Sequence, residues 1–248
     1  MRDTQARINA QIDGIRSVAT AFTGSWLRHS NAPDRLPQVF SKLAVVCDKA
    51  ITDFERQRIE TGDQHTLACK SGCDHCCRHE TVVATPLEVF ALAAWIRENR
   101  TVLEIHRIKE RAEAYLEHFR TNDPSCLPCP VLENGGCQGY GGRPLICRGY
   151  HSFSLDSCRR KYRGLDDTIP HNRPAYLAAG HMRGSISAKI SEHNLPAPQV
   201  VLGAALAIAL RDEQGLERWL SGENLFEGLE FKLPYGAHRS EIEYIKTH

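Results

Sequence analysis

Neither sign of charge dominates this chain: lysine and arginine total 31 against 30 acidic residues, a net charge of +1 over 248 residues. That balance leaves no electrostatic footprint for nucleic acid or for an anionic membrane surface. Long hydrophobic runs are also lacking. The most apolar stretch, 200–210, is too short to cross a bilayer, so no membrane partner is expected. No apolar segment follows the opening Met1-Arg2-Asp3-Thr4-Gln5-Ala6-Arg7, which implies no secretory signal and a cytoplasmic location. Strict strand alternation, internal repeats and low-complexity tracts are absent as well. There is no glycine-rich cofactor loop behind a strand, and no residue stands out as a nucleophile or general base, so whether the chain is an enzyme is left open.

What the chain does have is ten cysteines and enough hydrophobic residues, 42%, to build a proper core. In a reducing compartment that cysteine density points to metal or redox chemistry rather than to disulfides. Three regions separate by composition. Residues 1–65 carry two helical stripes. The first is Ile8, Ile12, Ile15, Ala19, Phe22 and Trp26. The second, beyond the Asn31-Ala32-Pro33-Asp34 break, is Val39, Phe40, Leu43, Val46, Cys47, Ala50, Ile51 and Phe54. Cys47 falls inside that stripe and reads as a small buried hydrophobe.

Residues 66–163 hold the other nine cysteines around a pair of helices. Thr85-Pro86 with Glu88 marks a capped helix start, and that helix would bury Val89, Phe90, Ala93 and Ile96. A second helix would present Ile105, Ile108, Ala112, Tyr115, Leu116 and Phe119 on one face. Residues 164–248 are again helical and lack cysteine, with one start near Pro174 and another after Pro196-Ala197-Pro198. The expected fold class is therefore mainly α, with irregular cysteine- and glycine-rich loops that bind metal.

The densest feature is Cys69, Cys73, Cys76 and Cys77. Adjacent cysteines seldom bridge each other, and four in so short a span would close only tiny disulfide loops. As a helix, positions i, i+4, i+7 and i+8 share about a third of the circumference. As a loop, Gly72 permits a tight turn. Either path converges several sulfurs, as a tetrahedral or cuboidal metal site requires. A second segment supplies Cys129, Cys137, Cys147 and Cys158, interleaved with Gly135, Gly136, Gly139, Gly141 and Gly142. Such loops can offer backbone N–H groups to anionic sulfur. Arg143 and Arg148 flank Cys147, either as guanidinium groups that stabilise an anionic cofactor or as ordinary ion-pair residues. His75 and His79 are secondary ligand candidates. Cys126, separated from Cys129 by Leu127-Pro128, is left out of the ligand set.

The run C-x3-C-x2-C-C at 69–77, Cys129-Pro130-Val131-Leu132, Cys137, and Arg143-Pro144-Leu145-Ile146-Cys147-Arg148 resembles the YkgJ-type cysteine-cluster family, the CxxCxxCC group described as zinc- or iron-chelating domains. The resemblance covers about residues 66–163. It departs in two places: three residues rather than two separate Cys69 from Cys73, and Val131 stands where phenylalanine is usual. It implies cluster ligands at Cys69, Cys73, Cys76, Cys77, Cys129, Cys137 and Cys147, with Cys158 belonging to one branch. The expected cofactor is an iron–sulfur cluster of the 4Fe–4S type, serving electron transfer or supporting a protein modification, with an unidentified redox or protein-substrate partner. The alternative is a structural or chelating zinc protein without catalysis. A second alternative, an iron–sulfur-dependent protein lysine N-methylase-like enzyme, rests on similarity to the cysteine-cluster region of flagellin lysine N-methylases.

Overall fold

A computed structural model describes residues 2–29, 32–79, 81–121, 127–165 and 168–231, without the side chains of 2–5 and 79. Asn31, Cys126, the side chain of His79 and the last part of the C-terminal region therefore lie outside the described residues. Among those described, the protein is mainly α, with ten helices and four strands of two residues each.

The first stripe forms α1 (Arg2–Leu27) and the second forms α2 (Ala32–Glu60). Ile12, Ile15, Ala19 and Trp26 are buried from α1, and Leu36, Phe40, Leu43, Cys47, Ala50, Ile51 and Phe54 from α2. Cys47 has no solvent exposure, and burial pushes its thiol up to about 12, so it is an inert core residue as its place in the stripe implied. After the short α3 (His75–His79) and β1 (Val83–Ala84) come α4 (Pro86–Asn99) and α5 (Val102–Arg120). Thr85 and Glu88 make the expected reciprocal capping box. Thr101 and Glu104 repeat it at the start of α5.

The cysteine-bearing stretch then runs through β2 (Leu132–Glu133), β3 (Gly136–Cys137), α6 (Leu145–Gly149) and α7 (Leu155–Tyr162). Beyond it lie α8 (Arg173–Glu192), β4 (Val200–Val201), α9 (Leu202–Arg211) and α10 (Gly215–Leu220). The helix expected near Pro174 is α8, capped by the Asn172 side chain. The 200–210 run splits: Val200 and Val201 pair antiparallel with Ala84 and Val83, and only then does α9 begin. α9 is buried almost all round, as its composition implied.

All three compositional regions contribute to one continuous core. Trp219 of α10 stacks on Trp26 of α1 with ring centroids 6.2 Å apart, and Phe90 of α4 meets Trp219 at 5.8 Å and Phe226 at 5.3 Å. Helices α1, α2 and α8 pack on one another, as do α4 and α5 on α9, while α6 is held between α2 and α8. The α6–α8 approach depends on Gly149, where a Cβ would stand 2.7 Å from the Ala175 carbonyl oxygen and 2.9 Å from the Ala179 Cβ. Backbone cannot yield as a side-chain tip can, so Gly149→Ala is expected to cost about 1–3 kcal/mol through overpacking, only partly offset by alanine's better helix propensity. Urea unfolding checks this, with a lower midpoint at unchanged slope expected.

Candidate metal centre

The eight expected ligands come from loops, short helices and a hairpin strand. Cys69 and Cys73 lie on a loop that turns at Gly72, whose φ of +79° is left-handed and suits glycine. Cys76 and Cys77 are on α3. So the 69–77 segment is a loop feeding one helical turn, not a helix throughout. Cys129 precedes a hairpin in which Leu132 pairs with Cys137 across the turn Asn134-Gly135, both at positive φ. Cys147 sits in α6 and Cys158 in α7. Cys158 is buried and the other seven are half-buried, and all are free thiols.

Backbone contacts tie the two cysteine segments together. The Cys129 N–H donates to the Cys77 carbonyl at 2.7 Å. The Ala68 N–H donates to the Ser152 carbonyl at 2.8 Å, and the Ser152 N–H returns to the Cys69 sulfur at 3.2 Å. α3 packs against α7. Two further amides reach sulfur: Val131 N–H bonds Cys129 and Gly139 N–H bonds Cys137, each lowering the cost of the thiolate. Three of the eight sulfurs thus receive backbone N–H donors, the pattern that holds thiolate ligands in place.

Burial nevertheless pushes the thiols up. Desolvation dominates at Cys69, Cys129, Cys137 and Cys147, reaching about 12 at Cys147. Neighbouring thiolate charges raise each of them further, and Arg143 pulls Cys137 and Cys147 back down. Without a cation these thiols are protonated at neutral pH. Among the described residues, no three His, Cys, Asp or Glu side chains stand in the arrangement that a metal ion requires.

The two arginines differ. Arg143 lies over the Tyr140 ring at 3.7 Å, and its charge acts on the sulfurs. Arg148 is only 5% exposed and committed elsewhere: to Asp48 of α2 at 2.7 Å, and to the carbonyls of Gly141 at 2.7 Å and Arg143 at 3.2 Å. It anchors the loop before α6 to α2, the ion-pair reading of that residue. The glycines divide similarly. Gly139 gives its amide to sulfur, but a Cβ at Gly139, Gly141 or Gly142 would run into Leu92 or Trp95 of α4 at 2.6–2.7 Å, so close packing on that helix also requires them.

Three positioning roles emerge only from the fold. Glu88 is fully buried; one carboxylate oxygen accepts from Thr85 N at 2.7 Å and the other from Leu145 N at 2.9 Å, at the start of α6. Arg111 donates to the Pro130 carbonyl and Arg100 to the Gln138 carbonyl, both at 2.7 Å, clamping the hairpin from its two ends. Two ring nitrogens are buried without a hydrogen-bond partner, Nδ1 of His75 and Nδ1 of His151. His75 was a ligand candidate by its place between Cys73 and Cys76; His151 carries no local motif that would have singled it out.

Two surface cavities, about 150 Å³ beside Phe90, Arg97 and Leu216 and about 430 Å³ beside Gln214, Glu217 and Arg218, are not lined by any cysteine. No helix among the described residues is long and apolar enough to cross a membrane. Comparison with protein-family models, with curated proteins and with solved structures finds no match for this chain.

Proposed function

We propose that this chain is a cytoplasmic metal-binding cysteine-cluster protein of the YkgJ type. It would hold an iron–sulfur centre, of the 4Fe–4S kind, on ligands drawn from Cys69, Cys73, Cys76, Cys77, Cys129, Cys137, Cys147 and Cys158. The observation that carries this reading is the meeting of two cysteine segments, 69–77 and 129–158, through Cys129 N–H to Cys77 and Ser152 N–H to the Cys69 sulfur. The chemistry of the donors suits the group, although their arrangement does not by itself form a metal site: soft thiolates, backbone N–H groups on three of them, and Arg143 to balance negative charge. When bound, such a cluster supplies one-electron redox chemistry at a potential tuned by those amides and by burial. The chain's own residues hold the cysteine-bearing loops in place, through Glu88 at α6 and the arginine clamps at the hairpin.

The role is electron transfer or support of a protein-modification reaction, with a redox or protein-substrate partner docking at the half-buried sulfurs. Protein purified without oxygen should be brown, with iron and acid-labile sulfide in equal amounts. Colourless protein carrying zinc and no sulfide would replace this reading with a structural zinc site. Methyl transfer to protein lysine that requires the intact cluster would instead promote the methylase-like reading.

A further inference from the structure

We propose that Arg100 and Arg143, at the rim of the loop that runs from Cys137 to Arg143, form the docking face for a protein partner presenting an acidic segment. The proposal rests on the partner-docking part of the reading above and does not require that a metal be bound.

Aromatic rings fix both arginines. The Arg100 guanidinium lies over the Trp95 ring, 5.1 Å from its centroid, and that of Arg143 over the Tyr140 ring at 3.7 Å. Such stacking orients a guanidinium while leaving its N–H edges open. The same loop receives both side chains: Arg100 Nε donates to the Gln138 carbonyl at 2.7 Å, and Arg143 Nη1 to the Tyr140 carbonyl at 2.9 Å. Trp95 packs on this loop as well, since a Cβ on Gly141 would stand 2.6 Å from its Nε1 and one on Gly142 would stand 2.7 Å from its Cβ. One short loop thus draws Trp95, Arg100, Tyr140 and Arg143 into a single surface, on which Tyr140 is 61% exposed.

The unused edges of the two guanidinium groups identify the partner. Arg100 commits its Nε to the loop, which leaves its two terminal nitrogens; Arg143 commits Nη1, which leaves Nε with Nη2. Each therefore retains a two-nitrogen fork of the kind that a carboxylate meets with both oxygens. Among the described residues neither is paired with a carboxylate, whereas Arg107 and Arg111 hold Glu133 and Arg148 holds Asp48. Glu104, the acidic residue nearest Arg100 along α5, is taken up by the Thr101 N–H and hydroxyl. Trp, Tyr and Arg are also the residues that carry most of the binding energy at protein interfaces. Single-stranded nucleic acid would need open ring faces for its bases. Trp95 instead lies between the loop glycines and the Arg100 guanidinium, and the whole chain has a net charge of only +1. An acidic protein segment is the better match.

The test titrates the full-length chain with an oligoglutamate peptide, with a glycine–serine peptide and an oligouridylate as comparisons. Trp26 and Trp219 are buried, so a change in tryptophan emission reports on Trp95. Docking predicts a saturable change with oligoglutamate that weakens as salt is raised, and none with the neutral peptide. Amide exchange of the unaltered chain should slow at 138–143 when the peptide binds. Because Arg100 also clamps the hairpin, Arg143→Gln is the decisive variant: Arg143 bonds only within its own loop. It should weaken binding about twofold to fivefold at unchanged helical circular dichroism. Arg143→Lys should weaken it too, because an ammonium cannot form the fork.

No saturable binding of oligoglutamate would overturn the proposal. So would protection falling on the basic end of α7 (Arg159, Arg160 and Lys161) instead of 138–143, or tighter binding of oligouridylate than of the peptide. Metal analysis of the same sample is a separate readout: a metal-free chain that binds the peptide at 138–143 would sink the metal-binding reading and leave the docking face standing.

Discussion

Replacing Glu88 with alanine is expected to destabilise the protein by about 3–5 kcal/mol, the range for stripping a partner from a buried, hydrogen-bonded charge. Glu88 is fully buried, and its two oxygens accept from the Thr85 and Leu145 amides. Arg183, itself 11% exposed, faces it at 3.5 Å. Alanine would leave two buried N–H groups without acceptors and a guanidinium without its counter-charge, each a desolvation cost with no return. Pro144, which precedes α6, makes no side-chain cap, so the acceptor for that helix start must come from α4, 57 residues away. For a chain of this size the loss corresponds to a fall in Tm of roughly 6–20 °C. Glu88→Gln keeps one acceptor oxygen and should fall between the two. Amide exchange at Leu145 should accelerate in both variants; unchanged protection there would show that Glu88 does not hold α6.

Those contacts show which parts of the protein are legible from sequence. The capping box at Thr85 and Glu88 is local, three residues apart, and was visible. Its second bond, to Leu145, is not, because nothing within a few residues of Glu88 encodes it. The helical stripes and the buried Cys47 follow from periodicity and appear as expected, whereas helix and loop are equally open for 69–77 until the turn at Gly72 is seen. The hairpin at Asn134-Gly135 carries a strong turn signal, yet its strands are two residues long, too short for alternation to show. The pairing of β1 with β4 has no local signature at all. The same distinction governs the cysteines. Spacing shows that 69–77 is a cysteine-dense segment, but not that Ser152 N–H would seat Cys69. Nor does it show that Arg148, beside Cys147, would turn away to Asp48 a hundred residues earlier.

Metal removal is expected to have the largest effect of all, and to reverse the sign of the pH dependence of stability. In the metal-free chain, burial raises the thiols of Cys69, Cys129, Cys137 and Cys147 above their ordinary value near 9, with Cys147 at about 12. A group whose folded pKa is raised contributes stability that is complete below its unfolded pKa and is lost as pH rises through the folded one. The stripped chain should therefore hold its stability up to about pH 9 and lose it progressively toward pH 12.

The loaded chain should do the opposite, because metal binds only thiolates and protons compete for them. Each unit of acidification removes about 1.4 kcal/mol per thiol that must ionise. Urea unfolding of both forms between pH 6 and 10, without oxygen, compares the two directly. The gap between them should be widest at the alkaline end and close as pH falls. Hydrogen exchange should locate the loosening on stripping within 69–77, the 132–137 hairpin, α6 and α7, while α1, α2, α4 and α9, which carry none of the candidate ligands, keep their protection. Equal stability of the two forms across that range would show that the cysteines do not cross-link the two segments through a metal.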